Sequence, residues 1–235
     1  MTTAPKNLIP LLLALILATL SVTAGAAPRV GITADIGKVE FTIDGKRYVI
    51  ERNQDTSATV DPAFAKTSRP CPPFCIQPMR LAPGVETIGE LEVIDYLKRQ
   101  ASGEPVLVID SRTPDWVARG TIPGATNIPW TGINVKQGAT TEGIVKILTR
   151  KFGVKLAKGA DEFAVDEAIV DGDTSEVFNF SKAKTLVLFC NGMWCGQSPN
   201  NIINLLKFGY PPEKLKWYRG GMQDWASAGL TMAYN

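Results

Sequence analysis

The sequence predicts an α/β domain built on a mostly parallel β-sheet. Three short apolar runs, residues 105–110, 184–189 and 215–218, have the length and composition of buried parallel strands. Segments with helical periodicity stand before, between and after these runs, and this alternation is typical of strands joined by helical crossovers. We place the domain at residues 81–235, with a β-hairpin and an arm at residues 27–80 before it.

The overall composition is that of an ordinary globular protein, and it excludes several classes of function. The 235 residues include 25 Lys and Arg against 23 Asp and Glu, so the net charge of +2 provides no broad basic surface for nucleic acid. The chain has no histidine, which excludes Ser-His-Asp and Cys-His catalysis and histidine-ligated zinc or haem. We therefore expect no cofactor, no metal and no nucleic-acid partner, and thiol chemistry becomes the first hypothesis.

The first 26 residues have the pattern of a secretory signal. Lys6 precedes an apolar stretch at residues 8–20, and small residues end at Ala24-Gly25-Ala26. An uncleaved membrane anchor is the alternative interpretation. It fits less well, because a spanning helix needs roughly 20 apolar residues and the stretch at residues 8–20 is shorter. We predict a signal peptide at residues 1–26, a periplasmic or secreted protein, and no membrane attachment after cleavage.

The segment after the signal is predicted to be a hairpin followed by an irregular arm. Residues 39–43 and 46–50 alternate apolar and polar side chains on either side of Asp44-Gly45, which is the signal of a two-residue turn. Residues 53–73 are polar, contain proline and show no sustained period. This pattern indicates a linker or arm.

Cys71 and Cys75 lie at the end of that arm. In an exported protein we expect them to form a local disulfide. Two alternatives remain: a redox pair that exchanges with Cys190 and Cys195, and a four-cysteine zinc site, although neither spacing is the usual C-x2-C.

Helix signals surround the three apolar runs. Thr87 and Glu90 match a capping box with Thr87 as the N-cap, and Ser198 followed by Pro199 matches an N-cap and first helical position. The predicted helices begin at residues 88 and 199 and cover residues 141–152 and 222–228.

One segment of the domain is unusually acidic. Residues 161–176 contain seven Asp or Glu and lack the spacing of a calcium loop. We predict a solvated, mobile insertion at about residues 155–180.

Cys190 is the leading candidate for a reactive group. It follows an apolar strand at the carboxyl edge of the sheet, where ligands of open α/β folds bind. A glycine-containing loop and a helix start come next, and their amides and dipole stabilise an anionic sulfur. The functional hypothesis is a nucleophilic thiolate; the alternative is a buried core cysteine.

Three separated motifs resemble the rhodanese family. They are residues 107–114 continuing to 120–129, residues 187–190 with Gly209-Tyr210 further on, and residues 218–225 with Gly229. The resemblance implies a rhodanese-like parallel five-stranded sheet flanked by helices. It also implies a cysteine, here Cys190, that accepts sulfane sulfur as a persulfide and passes it to a thiol acceptor. Thr121 and Gln197 stand where the family commonly has histidine and arginine.

The loop after Cys190 supplies the remaining candidate site residues. Cys195 lies inside it. One hypothesis is that Cys195 attacks the persulfide, releases sulfide and leaves a loop disulfide; the alternative is that it packs under Trp194. We expect the loop backbone to hold the anionic sulfur, Trp194 to be exposed, and Arg112 and Arg219 to attract an anionic donor, with an Asp110–Arg112 pair as the structural alternative. The candidate substrate-binding residues are Asn191, Gly192, Met193, Trp194, Gly196, Gln197, Arg112 and Arg219.

Three functions are consistent with these residues. The first is an exported sulfurtransferase with a small sulfane-sulfur donor and a thiol acceptor or partner protein. The second is a thiol–disulfide oxidoreductase that uses Cys190 and Cys195, and the third is a non-catalytic interaction module. Phosphatase activity is disfavoured because no Arg or Lys lies between Cys190 and Gln197 to hold phosphate.

Overall fold

The structure is a computed structural model that describes residues 1–2, 30–174 and 176–234. The predicted signal peptide at residues 1–26 falls almost entirely outside the described residues. Within the part of the chain that is described, no helix is long and apolar enough to cross a membrane.

The N-terminal hairpin is present and confirms the prediction. Strands β1 (Lys38–Ile43) and β2 (Lys46–Glu51) pair antiparallel. Asp44 and Gly45 both have positive φ, 50° and 77°, as a tight two-residue turn requires.

The domain contains a five-stranded parallel sheet flanked by helices, as predicted. The remaining strands are β3 (Glu86–Ile88), β4 (Val106–Asp110), β5 (Thr126–Asn127), β6 (Lys155–Leu156), β7 (Phe178–Asn179), β8 (Thr185–Phe189) and β9 (Leu215–Tyr218). The five-stranded sheet has the order β3-β9-β8-β4-β5, and β6 and β7 form a separate antiparallel pair. The three predicted apolar strands occupy the centre of the sheet, and two short strands lie at its edges.

The helices are α1 (Glu90–Ala101), α2 (Pro114–Val117), α3 (Thr141–Arg150), α4 (Glu162–Asp171), α5 (Gln197–Lys207) and α6 (Gly221–Ser227). The predicted cap of α1 is wrong by two residues. Gly89 is the N-cap, and its amide donates to the Glu92 carboxylate over 3.0 Å. Thr87 instead lies in β3, because that segment pairs with β9.

Apolar side chains cover both faces of the sheet. Ile109 and Leu188 belong to one core with residues of α3 and α5. Val108 and Val187 point to the other face and belong to a second core with residues of α1, α6 and the hairpin. Because both faces are buried, the carboxyl edge of the sheet is where polar and reactive groups gather.

The acidic segment differs from the predicted mobile insertion, since it forms a helix. Asp161 caps α4 by accepting a hydrogen bond from the Ala164 amide over 2.9 Å. Val165 is fully buried against the α3 side of the core, whereas Asp166 and Glu167 are exposed. These two acidic side chains are solvated as predicted, while Val165, with the partly buried Ala164, Ala168 and Ile169, docks the helix on the core.

Candidate active site

Cys190 lies directly after β8 and is buried, with 2% of its surface exposed. Its carbonyl oxygen accepts a hydrogen bond from the Met222 amide over 2.9 Å, which joins the strand end to the first turn of α6. Gly221 has a φ of 57°, and a Cβ at this position would lie 2.3 Å from the Cys190 oxygen. Only glycine fits at position 221, so the close contact between the start of α6 and the Cys190 backbone depends on this residue.

The sulfur of Cys190 is surrounded by hydrogen-bond donors. The Ser198 hydroxyl donates to Sγ over 3.1 Å, and the Trp217 indole N–H donates to the Ser198 oxygen over 3.2 Å. Burial by itself raises the pKa of the Cys190 thiol. Hydrogen bonds from the Cys195 thiol, the Ser198 hydroxyl and two backbone amides outweigh burial, so the pKa lies below its ordinary value.

The position of Ser198 corrects the predicted start of α5. The helix begins two residues earlier than predicted, at Gln197, with Gly196 as its N-cap. Ser198 is fully buried, and its hydroxyl serves the cysteine sulfur instead of the helix amides. A serine near a helix start can bond either the helix amides or another side chain. The sequence predicts the helix amides for Ser198, and the structure shows the Cys190 sulfur.

Cys195 is the second free thiol of the site, and it is also buried. Its carbonyl oxygen is 3.5 Å from the Cys190 sulfur. Burial, together with the neighbouring Cys190 sulfur, raises the pKa of Cys195 well above its ordinary value. The two thiols therefore have unequal acidities, and Cys190 is the one prepared to ionise.

Arg112 is fully buried in a structural network, which corrects its predicted contact with substrate. Its guanidinium pairs with the Asp110 carboxylate over 2.6 Å and donates to the Gly120 carbonyl over 2.7 Å. A weaker contact of 3.5 Å reaches the Asn191 side chain. Arg112 thus forms the structural pair with Asp110 that was the alternative interpretation, and it contacts the start of the cysteine loop at Asn191.

Arg219 makes its hydrogen bonds to the arm. Its guanidinium donates two hydrogen bonds to the Gln77 carbonyl, of 3.1 and 2.8 Å. The Gln77 amide in turn donates to the Met193 carbonyl over 2.8 Å. Arg219 therefore fastens the arm, residues 53–80, to the cysteine loop, residues 190–196, through Gln77.

The arm covers the cysteine loop through aromatic contacts that the sequence did not reveal. The Arg69 guanidinium lies 3.7 Å from the centre of the Trp194 ring, and the Phe74 ring meets Trp194 edge-on at 5.6 Å. A disulfide joins Cys71 and Cys75 on either side of Phe74. Trp194 is only 7% exposed, which corrects the prediction of an exposed tryptophan.

A cavity of about 350 Å³ opens beside the loop. Cys195, Gln197 and Asn191 contribute to its wall, together with four aromatic side chains, whereas Cys190 does not. Gly192 packs against the side chain of Gln223. That Gln223 side chain accepts a hydrogen bond from the Trp194 indole N–H. Among the described residues, no three Cys, Asp or Glu side chains are grouped so as to hold a metal ion.

Comparison with known proteins defines the class. The model of the rhodanese-like domain matches residues 93–228, so the chain belongs to the rhodanese-like domain family. A possible tyrosine phosphatase of unknown function from Rhodopseudomonas palustris is 17% identical; the similarity covers 63% of this chain and 85% of that chain, with a TM-score of 0.35. A rhodanese-related protein from Thermoplasma volcanium is 13% identical, with 64% and 99% covered and a TM-score of 0.29. The comparison with curated proteins gives no match.

Proposed function

We propose that this protein is a sulfurtransferase that carries sulfane sulfur on Cys190. The observation that supports this most strongly is the set of donors around the Cys190 sulfur, with the Ser198 hydroxyl at 3.1 Å. Such donors stabilise a thiolate, and the thiolate is the nucleophilic form of cysteine. The same donors would stabilise the anionic persulfide.

The reaction consists of two displacements at sulfur. The Cys190 thiolate attacks the outer sulfur of a donor such as thiosulfate, the donor S–S bond breaks, and sulfite leaves with the bonding electrons. An acceptor thiolate then attacks the outer sulfur of the Cys190 persulfide. The acceptor leaves as a persulfide and the Cys190 thiolate is restored.

Access to Cys190 requires the cysteine loop to move, because Cys190 does not line the cavity and is only 2% exposed. A Cβ placed on Gly196 would meet nothing within 4 Å, so there is open space beside the loop at this residue. We infer that a local movement at Cys195 and Gly196, which line the cavity, opens Cys190 to the donor.

The test is the intact mass of the reduced protein before and after thiosulfate. Wild type and Cys195→Ser should both gain the mass of one sulfur atom, and a reductant should remove it. Cys190→Ser is the matched control and should gain nothing. A gain in Cys190→Ser equal to that of wild type would contradict the assignment.

A thiol–disulfide oxidoreductase is the second candidate. It is favoured by two buried free thiols in one loop, where the Cys195 carbonyl oxygen lies 3.5 Å from the Cys190 sulfur. This function predicts that mild oxidation forms a Cys190–Cys195 disulfide and that this disulfide exchanges with glutathione. It predicts no sulfur loading of Cys190. If neither loading nor exchange occurs, the remaining interpretation is a non-catalytic interaction module.

We also propose export, with cleavage near Ala26. The Cys71–Cys75 disulfide supports it, since disulfides persist in oxidising compartments. N-terminal sequencing of protein recovered outside the cytoplasm tests it, and recovery of the full chain in the membrane fraction would favour an anchor.

A further inference from the structure

The cavity beside the cysteine loop has an aromatic wall. Three of the five tryptophans of the chain, Trp116, Trp130 and Trp194, line it together with Phe74. Its volume of about 350 Å³ lies at the lower end of the range of small-molecule sites. A pocket of this size and composition suits one ring-sized apolar group.

The polar groups of the wall are neutral. The side chains of Asn191 and Gln197 contribute to the lining. The indole N–H of Trp130 is itself buried, so it is not a polar group that the cavity exposes.

The positive charges near the cavity lie on its aromatic rings. The Arg69 guanidinium stacks on Trp194 at 3.7 Å, and the Arg119 guanidinium stacks on Trp116 at 4.3 Å. Neither arginine contributes to the lining. An organic compound could therefore bury its apolar body against these rings.

The cavity lies close to the two thiols of the site. Cys195 forms part of its wall, and the carbonyl oxygen of Cys195 lies 3.5 Å from the Cys190 sulfur. A ligand whose ring fills the cavity would hold an attached sulfur at the edge of the cysteine loop.

We propose that this cavity binds the aromatic body of an organic sulfane-sulfur donor and presents its outer sulfur to the cysteine loop. The role of that ligand rests on the sulfurtransferase function proposed above; the binding site itself does not. With an aryl thiosulfonate, the Cys190 thiolate would take the outer sulfur, the S–S bond would break, and the aryl sulfinate would leave with the bonding electrons.

Binding is tested first, with ligands that carry no transferable sulfur. Benzenesulfonate and methanesulfonate share one anionic head group and differ only in the apolar body. Calorimetric titration of the wild-type protein should show benzenesulfonate binding at least about tenfold more tightly, because the ring buries more apolar surface. Equal affinities, or no binding of either compound, would overturn the proposal.

Two variants locate the binding site. Trp116→Ala and Phe74→Ala each remove one aromatic wall and should weaken benzenesulfonate binding about tenfold. Phe163→Ala removes an aromatic ring that is 77% exposed on α4, and it should leave binding unchanged. Unfolding midpoints of all three variants show whether they are folded. If both folded wall variants bind as wild type does, the site lies elsewhere and the proposal is wrong.

Sulfur loading then separates the two proposals. Benzenethiosulfonate should load wild-type Cys190 at least about tenfold faster than methanethiosulfonate at the same low concentration. Equal loading rates would contradict the role of the cavity and leave the sulfurtransferase function standing. Tight benzenesulfonate binding without loading by either donor would contradict the sulfurtransferase function and leave the binding site standing.

Discussion

Replacing Ser198 with alanine should raise the pKa of Cys190 and slow its reactions at neutral pH. The Ser198 hydroxyl donates to the cysteine sulfur over 3.1 Å and accepts from the Trp217 indole over 3.2 Å. The substitution removes one of the donors that hold the pKa of Cys190 below its ordinary value. Burial, which opposes the thiolate, is left with fewer donors against it.

The size of the effect follows from the two hydrogen bonds. A hydrogen bond to a charged group contributes about 1.5–3 kcal/mol, so the thiolate fraction at any pH below the folded pKa should fall roughly tenfold to a hundredfold. The Trp217 N–H is left buried without its acceptor, which costs about 1–3 kcal/mol of stability.

The same reasoning fixes the sign of the pH dependence. Because the folded pKa of Cys190 lies below its unfolded value, the thiolate stabilises the reduced fold fully above the unfolded pKa. That contribution is lost as the pH falls through the folded pKa. The stability difference between wild type and Ser198→Ala should therefore grow as the pH rises.

The assay is the rate of Cys190 alkylation against pH, read from the digested peptide that contains Cys190. Denaturation of the same reduced proteins gives the stability difference. Ser102→Ala is the matched control, since this hydroxyl donates to the Arg99 carbonyl at the exposed end of α1. A Ser198→Ala profile that overlies that of wild type and of the control would refute the proposed role of the hydroxyl.

Three further predictions concern the supports of the site. Asp110→Asn should destabilise the fold by about 3–5 kcal/mol in urea, because it leaves a buried guanidinium unpaired. Glu104→Gln breaks a pair with Arg99 that is exposed on both sides and should cost no more than about 1 kcal/mol, so equal losses would argue against the buried network. Gly221→Ala should cost about 1–2 kcal/mol for its positive φ alone and should also slow Cys190 alkylation; a variant with wild-type stability and rate would show that this backbone contact is dispensable. Cys195→Ser should lengthen the lifetime of the Cys190 persulfide in thiol-free buffer, because the nearest attacking thiol is gone; equal decay rates would leave Cys195 a packing residue.

Local signals were sufficient where one element forms by itself. The hairpin follows from Asp44-Gly45 between two alternating runs, because the turn residues and the side-chain period agree. The central strands β4, β8 and β9 follow from apolar runs that are buried on both faces. Cys190 could be placed at the sheet edge because it directly follows one of these strands.

Short elements that depend on distant partners were not predictable from their own residues. Strand β3 has three residues and exists through its pairing with β9, more than a hundred residues later. Its sequence therefore resembled a helix cap, and Thr87 was assigned to the wrong element. Ser198 was misassigned for a similar reason, since its partner is the sulfur and not the helix.

The docking of the arm is the largest part of the site that the sequence did not predict. Arg69, Phe74 and Gln77 contact the cysteine loop from more than a hundred residues away, and no periodic pattern marks them. Trp194 looked exposed because its burial comes from this arm. The same arm takes two hydrogen bonds from Arg219, which the sequence predicts to attract an anionic donor.

The measurement that tests the central claim most directly is the location of the transferred sulfur. The reduced wild-type protein is treated with a sulfane donor, persulfides are trapped by alkylation, and the digested peptides are sequenced by mass spectrometry. A digest that cleaves between Cys190 and Cys195, or fragmentation between them, assigns the sulfur to one residue. We predict that the additional sulfur is on Cys190, the thiol whose pKa is lowered. Sulfur found on Cys195 alone, or on neither cysteine, would contradict this account.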